Sequence, residues 1–333
     1  FALPFINLGG FEEVKSKYDF EKEVSELIRL GITASSDRWE DDYTSYMLTL
    51  GKGKTALDLS SKKNKFDFKT NLNIGLPYTG LNETTIQIST EENKDQYLAK
   101  WNGFQSKMLN IGQFGDMGFQ LKGILDAPVS SLITTDFVPV SRGFTKPYYN
   151  IVPMTGIVNT EEQIATMLKT ENRADTLGAL NLYLEDLTGR KVEVASNGTP
   201  GLFSLKTVNK NTGKSNFLVN EGSGTNQLVT ILAKIFQYNS RFTCIDEPEI
   251  HLHPSLVRAL AHAFIEINME FDHQFLVSTH SEHFVQALLE SVATGAVDPQ
   301  DVVVYHLDNK NGQTTIERQE INSKGQISGG LAH

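Results

Sequence analysis

The chain has 333 residues, of which 39% are hydrophobic and 21% charged, with 26 Gly and 10 Pro spread along its length. This composition excludes collagen-like and wholly disordered proteins and predicts a soluble globular chain. The formal charge of −10 argues against a broad surface that coats nucleic acid, because such a surface needs clustered Lys and Arg. No apolar run reaches the roughly 18 residues of a membrane helix. The single Cys244 fits a reducing compartment, so we expect a cytoplasmic protein without a membrane partner.

The first 130 residues predict an antiparallel, partly exposed sheet, since residues 71–76 and 84–89 alternate apolar and polar side chains. Residues 130–140 are rich in β-branched side chains and predict a strand. Arg142 follows it and faces either a nucleotide or a core ion pair, two alternatives that the sequence leaves open. Four lysines near a polar turn indicate a solvated loop or a DNA contact: Lys62, Lys63, Lys65 and Lys69.

Residues 151–215 predict a helical connector followed by a hairpin. Asn159, followed by Glu162, resembles a capping box that opens a helix through residue 168. The other elements predicted here are a helix at 177–187, strands at 191–195 and 202–208, and a hairpin turn at 211–213.

From residue 216 onward, helices alternate with short, continuous apolar strands. This alternation predicts an α/β fold with a buried, mostly parallel sheet flanked by helices. The predicted elements are helices at 225–236, 254–271 and 282–293 and strands at 242–245, 274–278 and 301–307. Ligands of such sheets bind at the carboxyl ends of the strands, where we therefore expect the chemistry.

Polar side chains stand at two of these strand ends. Asp246 and Glu247 come directly after an apolar strand, a pattern that suits a magnesium shell beside a group that polarises water. His280 follows the next strand and is expected at the same edge of the sheet. Ahead of both, Ser223 is predicted to cap a helix whose N-terminal amides form an anion site.

In this order, the motifs resemble those of ABC-class ATPase heads, in particular the SMC and RecF-like branch and the related ATPases of OLD-type nucleases and phage-defence operons. The resemblance is most specific over residues 216–333. It implies a P-loop NTPase head that uses ATP and Mg²⁺. It places Ser223, Gly224 and Gln227 in the signature motif, Asp246 (Walker B) in the magnesium shell, Glu247 and His280 (switch histidine) as catalytic residues, and His253 in the D-loop, where many members carry Asp.

The resemblance also implies that residues 1–333 form one head, with a β-rich lobe (1–150), a connector (151–215) and a C-terminal lobe (216–333). Two heads are expected to form a homodimer head to tail, with ATP sandwiched between them. Whether the cycle drives DNA manipulation or controls an effector protein, such as a nuclease or toxin, stays open.

No segment matches the P-loop pattern G-x-x-x-x-G-K-[ST], which cradles phosphates. Residues 53–55 and 213–215 lack the first glycine and predict hairpin turns instead. We expect an N-terminally incomplete head that binds ATP weakly by itself. The competing hypothesis is a non-hydrolysing regulatory subunit that responds to nucleotide, although the intact pair of carboxylates argues against it.

Other interpretations of these residues are structural. The Asp246–Glu247 pair would also suit a helix cap, and His280 a strand-end histidine, but their joint order favours the ATPase. His251 and His253 have zinc-like spacing, yet no Cys or third ligand accompanies them. Gln113 and Gln120 are the candidates for the glutamine that completes the magnesium shell.

Overall fold

The computed structural model describes the strands of the first 108 residues by their backbone, a few residues between 119 and 126, and then residues 135–154, 158–170, 174–237, 240–310 and 313–328. The chain divides into two compact units. Residues 1–133 and 311–313 form the first, and residues 134–310 and 314–333 form the second. The predicted lobes 1–150, 151–215 and 216–333 stay a prediction.

The first unit is built from antiparallel strands. They are β1 (Ala2–Leu3), β2 (Ile6–Asn7), β3 (Ile28–Ser36), β4 (Trp39–Gly51), β5 (Lys54–Lys63), β6 (Phe66–Ile74), β7 (Thr84–Ser89), β8 (Gln96–Trp101) and β9 (Ser106–Met108). They pair in the orders β1-β2, β3-β4-β5-β6 and β7-β8-β9, every neighbour antiparallel. The predicted antiparallel sheet is confirmed. Lys54 and Thr55 lie at the start of β5, where they pair with Gly51 and Leu50, whereas Gly53 lies outside the described residues.

Three of the four lysines of the predicted DNA-contact cluster flank the turn between β5 and β6. Lys62 pairs with Asp67 and Lys63 with Phe66, while Lys69 lies in β6. The fourth, Lys65, lies outside the described residues, as do Gln113 and Gln120. The DNA contact and the Q-loop glutamine therefore stay predictions.

The second unit combines helices with strands of both kinds. Its elements are β10 (Thr135–Val138), β11 (Tyr149–Asn150), α1 (Glu161–Lys169), α2 (Ala174–Thr188), β12 (Arg190–Ser196), β13 (Leu202–Asn209), β14 (Ser215–Phe217), a 3-10 turn (Leu218–Asn220), α3 (Ser223–Ile235), β15 (Phe242–Asp246), α4 (Pro254–Phe271), β16 (Gln274–Ser278), α5 (Glu282–Ala293), β17 (Val304–Lys310) and β18 (Gln313–Gln319).

A parallel sheet in the order β10-β15-β16 carries the predicted chemistry. Val138 pairs with Ile245, and Asp246 pairs with Ser278, so the carboxyl ends of the three strands meet at one edge. Helices and an antiparallel sheet, β11-β13-β12 with β14 paired to β13, complete the unit. The predicted fold class, α/β with a parallel sheet flanked by helices and an antiparallel part, is confirmed.

Helix α3 lies in the centre of the hydrophobic core. Every residue from 228 to 235 in this helix is buried, including Leu228, Ile231 and Leu232, which are fully inaccessible. Burying a Leu or Ile side chain contributes about 1.5–3 kcal/mol each, so this core fixes the position of the helix and of its N-terminus.

The predicted capping box at the start of α1 is wrong. The capping box of α1 is formed by Thr160 and Gln163, one residue later than predicted: Gln163 N donates to Thr160 Oγ1 at 3.2 Å. Asn159 does not cap the helix, because its side-chain oxygen accepts from Lys234 Nζ. Glu162, the other predicted member, instead forms an ion pair with Lys146.

The predicted strand at 301–307 begins only at Val304 and pairs with β18 in a two-stranded sheet, not with the parallel sheet. Its apolar residues Tyr305 and Leu307 are 53% and 62% exposed. They alternate with polar residues, which is typical of a strand with an open face rather than of a buried parallel strand.

His273, immediately before β16, is a buried histidine of the second unit. Its Nε2 lies 2.8 Å from Thr243 Oγ1. Burial, reinforced by the charge of Arg241, lowers the pKa of His273 from 6.5 to about 4. The folded state therefore holds the ring neutral at pH values where the unfolded chain binds a proton.

We expect this histidine to destabilise the fold in mild acid. Its contribution is complete above the unfolded pKa of about 6.5 and is lost as the pH falls toward about 4. The measurement is urea unfolding followed by helical circular dichroism at about pH 7.5 and about pH 5. The neutral variant His273→Gln should show a weaker pH dependence than wild type, whereas the exposed control His283→Gln should not. Equal slopes for wild type and His273→Gln would contradict this assignment.

Candidate functional site

The candidate site is built around the end of β15. Ser278 Oγ, in the neighbouring strand, donates a hydrogen bond to Asp246 Oδ1. The next amide, Glu247 N, donates to Ser278 O at 2.9 Å. Parallel pairing thus continues one residue past β15 and places both carboxylates beside the end of β16.

The catalytic pair predicted from the sequence lies together at this edge. Glu247 Oε1 is 3.7 Å from His280 Nε2, with the Glu247 side chain 32% and the His280 side chain 90% exposed. Glu247 has a φ of 44°, a left-handed conformation that costs energy for any residue other than Gly, Asn or Asp. Because both side chains are at least partly exposed, the Glu247 carboxylate and the His280 imidazole are accessible to a ligand from solvent.

Arg142 binds main-chain carbonyl groups at this edge, and the nucleotide contact that the sequence left open stays a prediction. Its Nη1 donates to Asp246 O at 2.7 Å and its Nη2 to Glu247 O at 2.7 Å, while Nη1 also donates to Pro139 O at 2.9 Å. Burial lowers the pKa of Arg142, and the nearby carboxylates of Asp246, Glu249 and Glu247 oppose that shift. The guanidinium thus binds the main chain of the strand end instead of forming an ion pair in the core.

Glu249 is a site residue that the sequence analysis missed. Its Oε1 accepts a hydrogen bond from His280 N at 2.8 Å, so it fixes the main chain that carries the imidazole. Its Oε2 is buried and has no hydrogen-bond partner among the described residues. The available signal was a third carboxylate only two residues after Glu247.

The N-terminus of α3 differs from the prediction. Gly222, not Ser223, is the N-cap, with φ −55° and ψ 143°, and no side chain caps the helix. Ser223 is already helical and exposed. The first amides of a helix without a side-chain cap remain available to a ligand, and the anion site at this helix end stays a prediction.

Gly224 allows the segment after β15 to pack against α3. A Cβ at Gly224 would lie 2.8 Å from His251 O and 3.0 Å from Leu252 Cδ2, closer than a side chain tolerates. His251 itself has a φ of 62°. The segment 247–252 therefore touches both the sheet edge that carries Asp246 and the start of α3.

The two amide residues that follow in α3 face the interior. Gln227 Oε1, assigned by resemblance to the signature motif, is buried without a hydrogen-bond partner among the described residues. Asn226, which the sequence analysis did not single out, accepts from Phe144 N at 2.7 Å and donates to Phe144 O at 2.9 Å. It thereby ties α3 to the segment that follows Arg142.

His253 serves as the N-cap of α4, with Ser255 N donating to its Nδ1 at 3.3 Å and Pro254 opening the helix. Over the part of the chain that the structure describes, no group of three or more His, Cys, Asp or Glu side chains is arranged to hold a metal. Magnesium needs fewer protein ligands, since it is commonly held by one or two carboxylates together with substrate phosphates and water. Asp246, supported by Ser278, fits that requirement.

A family model described as an AAA ATPase domain matches residues 7–285. The chain belongs to this AAA ATPase domain family. The recognition of an ATPase head from Asp246, Glu247 and His280 is thereby confirmed at the level of the family. No curated protein matches the chain significantly. In the described part of this AAA ATPase domain, no helix combines the length and apolar character needed to cross a bilayer.

Solved SMC head domains show weak similarity to the chain. The SMC head domain from Thermotoga maritima is 12% identical, with 84% of this chain and 74% of that chain covered and a TM-score of 0.35. The Smc head domain from Pyrococcus furiosus, bound to the C-terminal domain of ScpA, is 14% identical, with 47% and 37% covered and a TM-score of 0.34. The head from Pyrococcus yayanosii is 12% identical, with 62% and 34% covered and a TM-score of 0.34.

Proposed function

We propose that this AAA ATPase domain binds and hydrolyses ATP with magnesium as an ABC-type head of the SMC, RecF and OLD-like kind. The observation that carries the proposal is the single sheet edge where Asp246 contacts Ser278 and Glu247 faces His280. A carboxylate suited to a metal ion beside a second, accessible carboxylate supplies two of the groups that phosphoryl transfer to water uses.

Each side chain has one task in this mechanism. Glu247 orients the attacking water and accepts its proton, a role for which its carboxylate is exposed enough to reach solvent. His280, which follows the neighbouring strand β16, contacts the γ-phosphate. Asp246 would hold the metal ion, which, when bound, neutralises charge on the phosphate oxygens.

The N-terminus of α3 supplies an anion site distinct from the Glu247 edge. Its amides carry no side-chain cap, and Ser223 is exposed. In the proposed head-to-tail homodimer, this helix end binds the nucleotide held by the partner head through the turn at Ser223 and Gly224, and His253 lies in the adjoining D-loop. The buried Oε1 of Gln227 does not support a direct contact of this side chain with the nucleotide. ATP then joins the two heads, and hydrolysis releases them.

Magnesium-dependent ATP turnover by the natural full-length protein tests the proposal. We expect phosphate release that stops when magnesium is chelated. ATP binding without turnover would favour the second candidate function, a regulatory subunit that responds to nucleotide. If the protein neither binds nor hydrolyses ATP, both candidate functions are overturned. The proposed contacts with DNA or an effector protein are separate and need their own binding assays.

We expect Ser223→Arg to block ATP-dependent dimerisation while leaving ATP binding by the single head nearly intact. A long side chain at the exposed start of α3 would fill the space that the partner's γ-phosphate needs. Light scattering in a Glu247→Gln background, where ATP is not consumed, reports the mass directly. Ser215→Arg, at an exposed position of β14, is the matched control and should dimerise normally. Loss of nucleotide binding by the Ser223→Arg head would show instead that the helix serves its own subunit's site.

A further inference from the structure

Residues 142–144 form a short segment with two kinds of anchor, which we call the strap. At one end, the Arg142 guanidinium donates to the carbonyl oxygens of Asp246 and Glu247, both at 2.7 Å. At the other end, the main chain of Phe144 makes a two-point contact with the side chain of Asn226 in α3. The strap therefore contacts both the end of β15 and helix α3, and only Gly143 lies between its two anchors, Arg142 and Phe144.

Gly143, the middle residue of the strap, has a main-chain conformation and surroundings that leave little room for a side chain. Gly143 has a φ of 127°, which residues with a side chain rarely adopt, and a Cβ there would lie 3.1 Å from Asn226 Oδ1. Asn226 Oδ1 accepts from Phe144 N, while Nδ2 donates to Phe144 O and to Leu218 O. Because the amide both donates and accepts on the same residue, its orientation is fixed by its partners.

The main chain at Glu247 is strained and is held by hydrogen bonds from neighbouring groups. Its φ of 44° is a strained conformation that persists only when neighbouring groups hold it. Its carbonyl oxygen accepts from Arg142, and its amide donates to Ser278 O. The guanidinium fork is rigid and presents parallel donors, so it fixes two successive carbonyl groups in a way that a flexible ammonium does not.

We propose that Arg142 is a positioning residue of the ATPase site and that the strap links the position of α3 to the main chain of Asp246 and Glu247. This inference rests on the proposed function for its catalytic consequence. In the ATP-sandwiched dimer, contact of the α3 N-terminus with one nucleotide then biases the geometry of Glu247, which acts on the other nucleotide. Asn226 acts only through the strap, since none of its hydrogen bonds reaches Asp246 or Glu247.

The experiment compares Arg142→Lys, Asn226→Asp and the double variant in the natural full-length protein. The first keeps the charge but loses the rigid fork. The second keeps the size but loses the donor to Phe144 O and Leu218 O. Arg241→Lys is the matched control, because Arg241 also donates to a main-chain carbonyl, Phe271 O at 3.0 Å, but at the opposite end of β15. Hydrogen exchange of the Glu247 amide is measured first, without nucleotide.

We expect faster exchange of the Glu247 amide in both single variants and wild-type exchange in Arg241→Lys. In ATP turnover, kcat should fall about 10- to 100-fold in the single variants with KM for ATP unchanged, since a misplaced base slows chemistry more than binding. The double variant should be no slower than Arg142→Lys, because the two residues act in series. Wild-type exchange at Glu247 in Asn226→Asp, or a double variant whose loss is the product of the single losses, would overturn the strap. Absence of turnover in wild type would overturn the proposed function instead, and the exchange data would still decide on the strap.

Discussion

Glu247→Gln is expected to lower kcat for ATP hydrolysis about 100- to 10,000-fold, the usual contribution of a general base. The amide keeps the size and shape of the carboxylate, but it does not accept a proton from the attacking water. Glu247 is the better candidate for this role than its neighbour, because one oxygen of Asp246 already accepts from Ser278, whereas Glu247 is 32% exposed and lies beside the exposed His280. The measurement is steady-state phosphate release by the natural full-length protein.

ATP binding should survive this substitution or become tighter. Removing a negative charge next to a triphosphate reduces repulsion, so affinity measured by calorimetry should not fall. Glu266→Gln, the same chemical change at an exposed position of α4, is the control and should leave turnover unchanged. Turnover by Glu247→Gln within a few-fold of wild type would exclude Glu247 as the base.

The order of strands and motifs made the centre of this site predictable. Two short apolar runs, one followed by Asp246 and Glu247 and the next ending at Ser278, are a strong sequence signal for neighbouring parallel strands. The prediction that the whole sheet is buried is wrong for β16, an edge strand of the described sheet in which Leu276 is 58% exposed. Parallel pairing then brings Asp246 opposite Ser278 and Glu247 close to His280 without any further assumption. For this part of the fold, the positions and the order of the two apolar strands were sufficient.

The contacts that hold the site in place carried no such signal. Arg142 binds residues more than 100 positions away in the chain, and Asn226 contacts a segment 82 positions away. Such contacts depend on the tertiary placement of α3 and β10, which periodicity does not describe. The positive φ of Glu247 was equally hidden, since a glutamate shows no preference for that conformation.

The errors at helix starts have a related cause. Ser and Asn are both favoured N-cap residues, but in the folded chain neither Ser223 nor Asn159 occupies the N-cap position. Asn159 accepts from Lys234, while the backbone at Gly222 turns into α3 one residue before Ser223. Propensity thus identified the helices, and long-range contacts determined where they begin.

A buried ion pair fixes the C-terminal half of α3 to β10. Lys234 Nζ lies 2.6 Å from Asp136 Oδ1, and the two side chains are only 3% and 1% exposed. The ammonium also donates to Val158 O and to Asn159 Oδ1, so each of its three protons has an acceptor. The other oxygen of Asp136 accepts from Gln237. This network joins α3, the strand that leads to Arg142 and the start of α1.

We expect Lys234→Met to lower the free energy of unfolding of the second unit by about 3–5 kcal/mol, because it leaves the Asp136 carboxylate buried without a counter-charge. Methionine fills most of the volume of the lysine stem, so the loss reports the charge rather than a cavity. Helical circular dichroism during urea unfolding is the measurement, since the described helices α1–α5 lie in the second unit. Both tryptophans, Trp39 and Trp101, lie in strands of the first unit, so fluorescence follows that unit separately.

Lys210→Met is the matched control for this loss. Lys210 pairs with Glu185 at the surface, where its side chain is 64% exposed, and solvent screening leaves such a pair with little effect on stability. The double variant Asp136→Leu with Lys234→Met should recover much of the stability, because replacing both buried charges with apolar groups removes the unpaired carboxylate. Equal losses for Lys234→Met and Lys210→Met, or a double variant less stable than Lys234→Met, would show that the buried charges do not control the stability of α3.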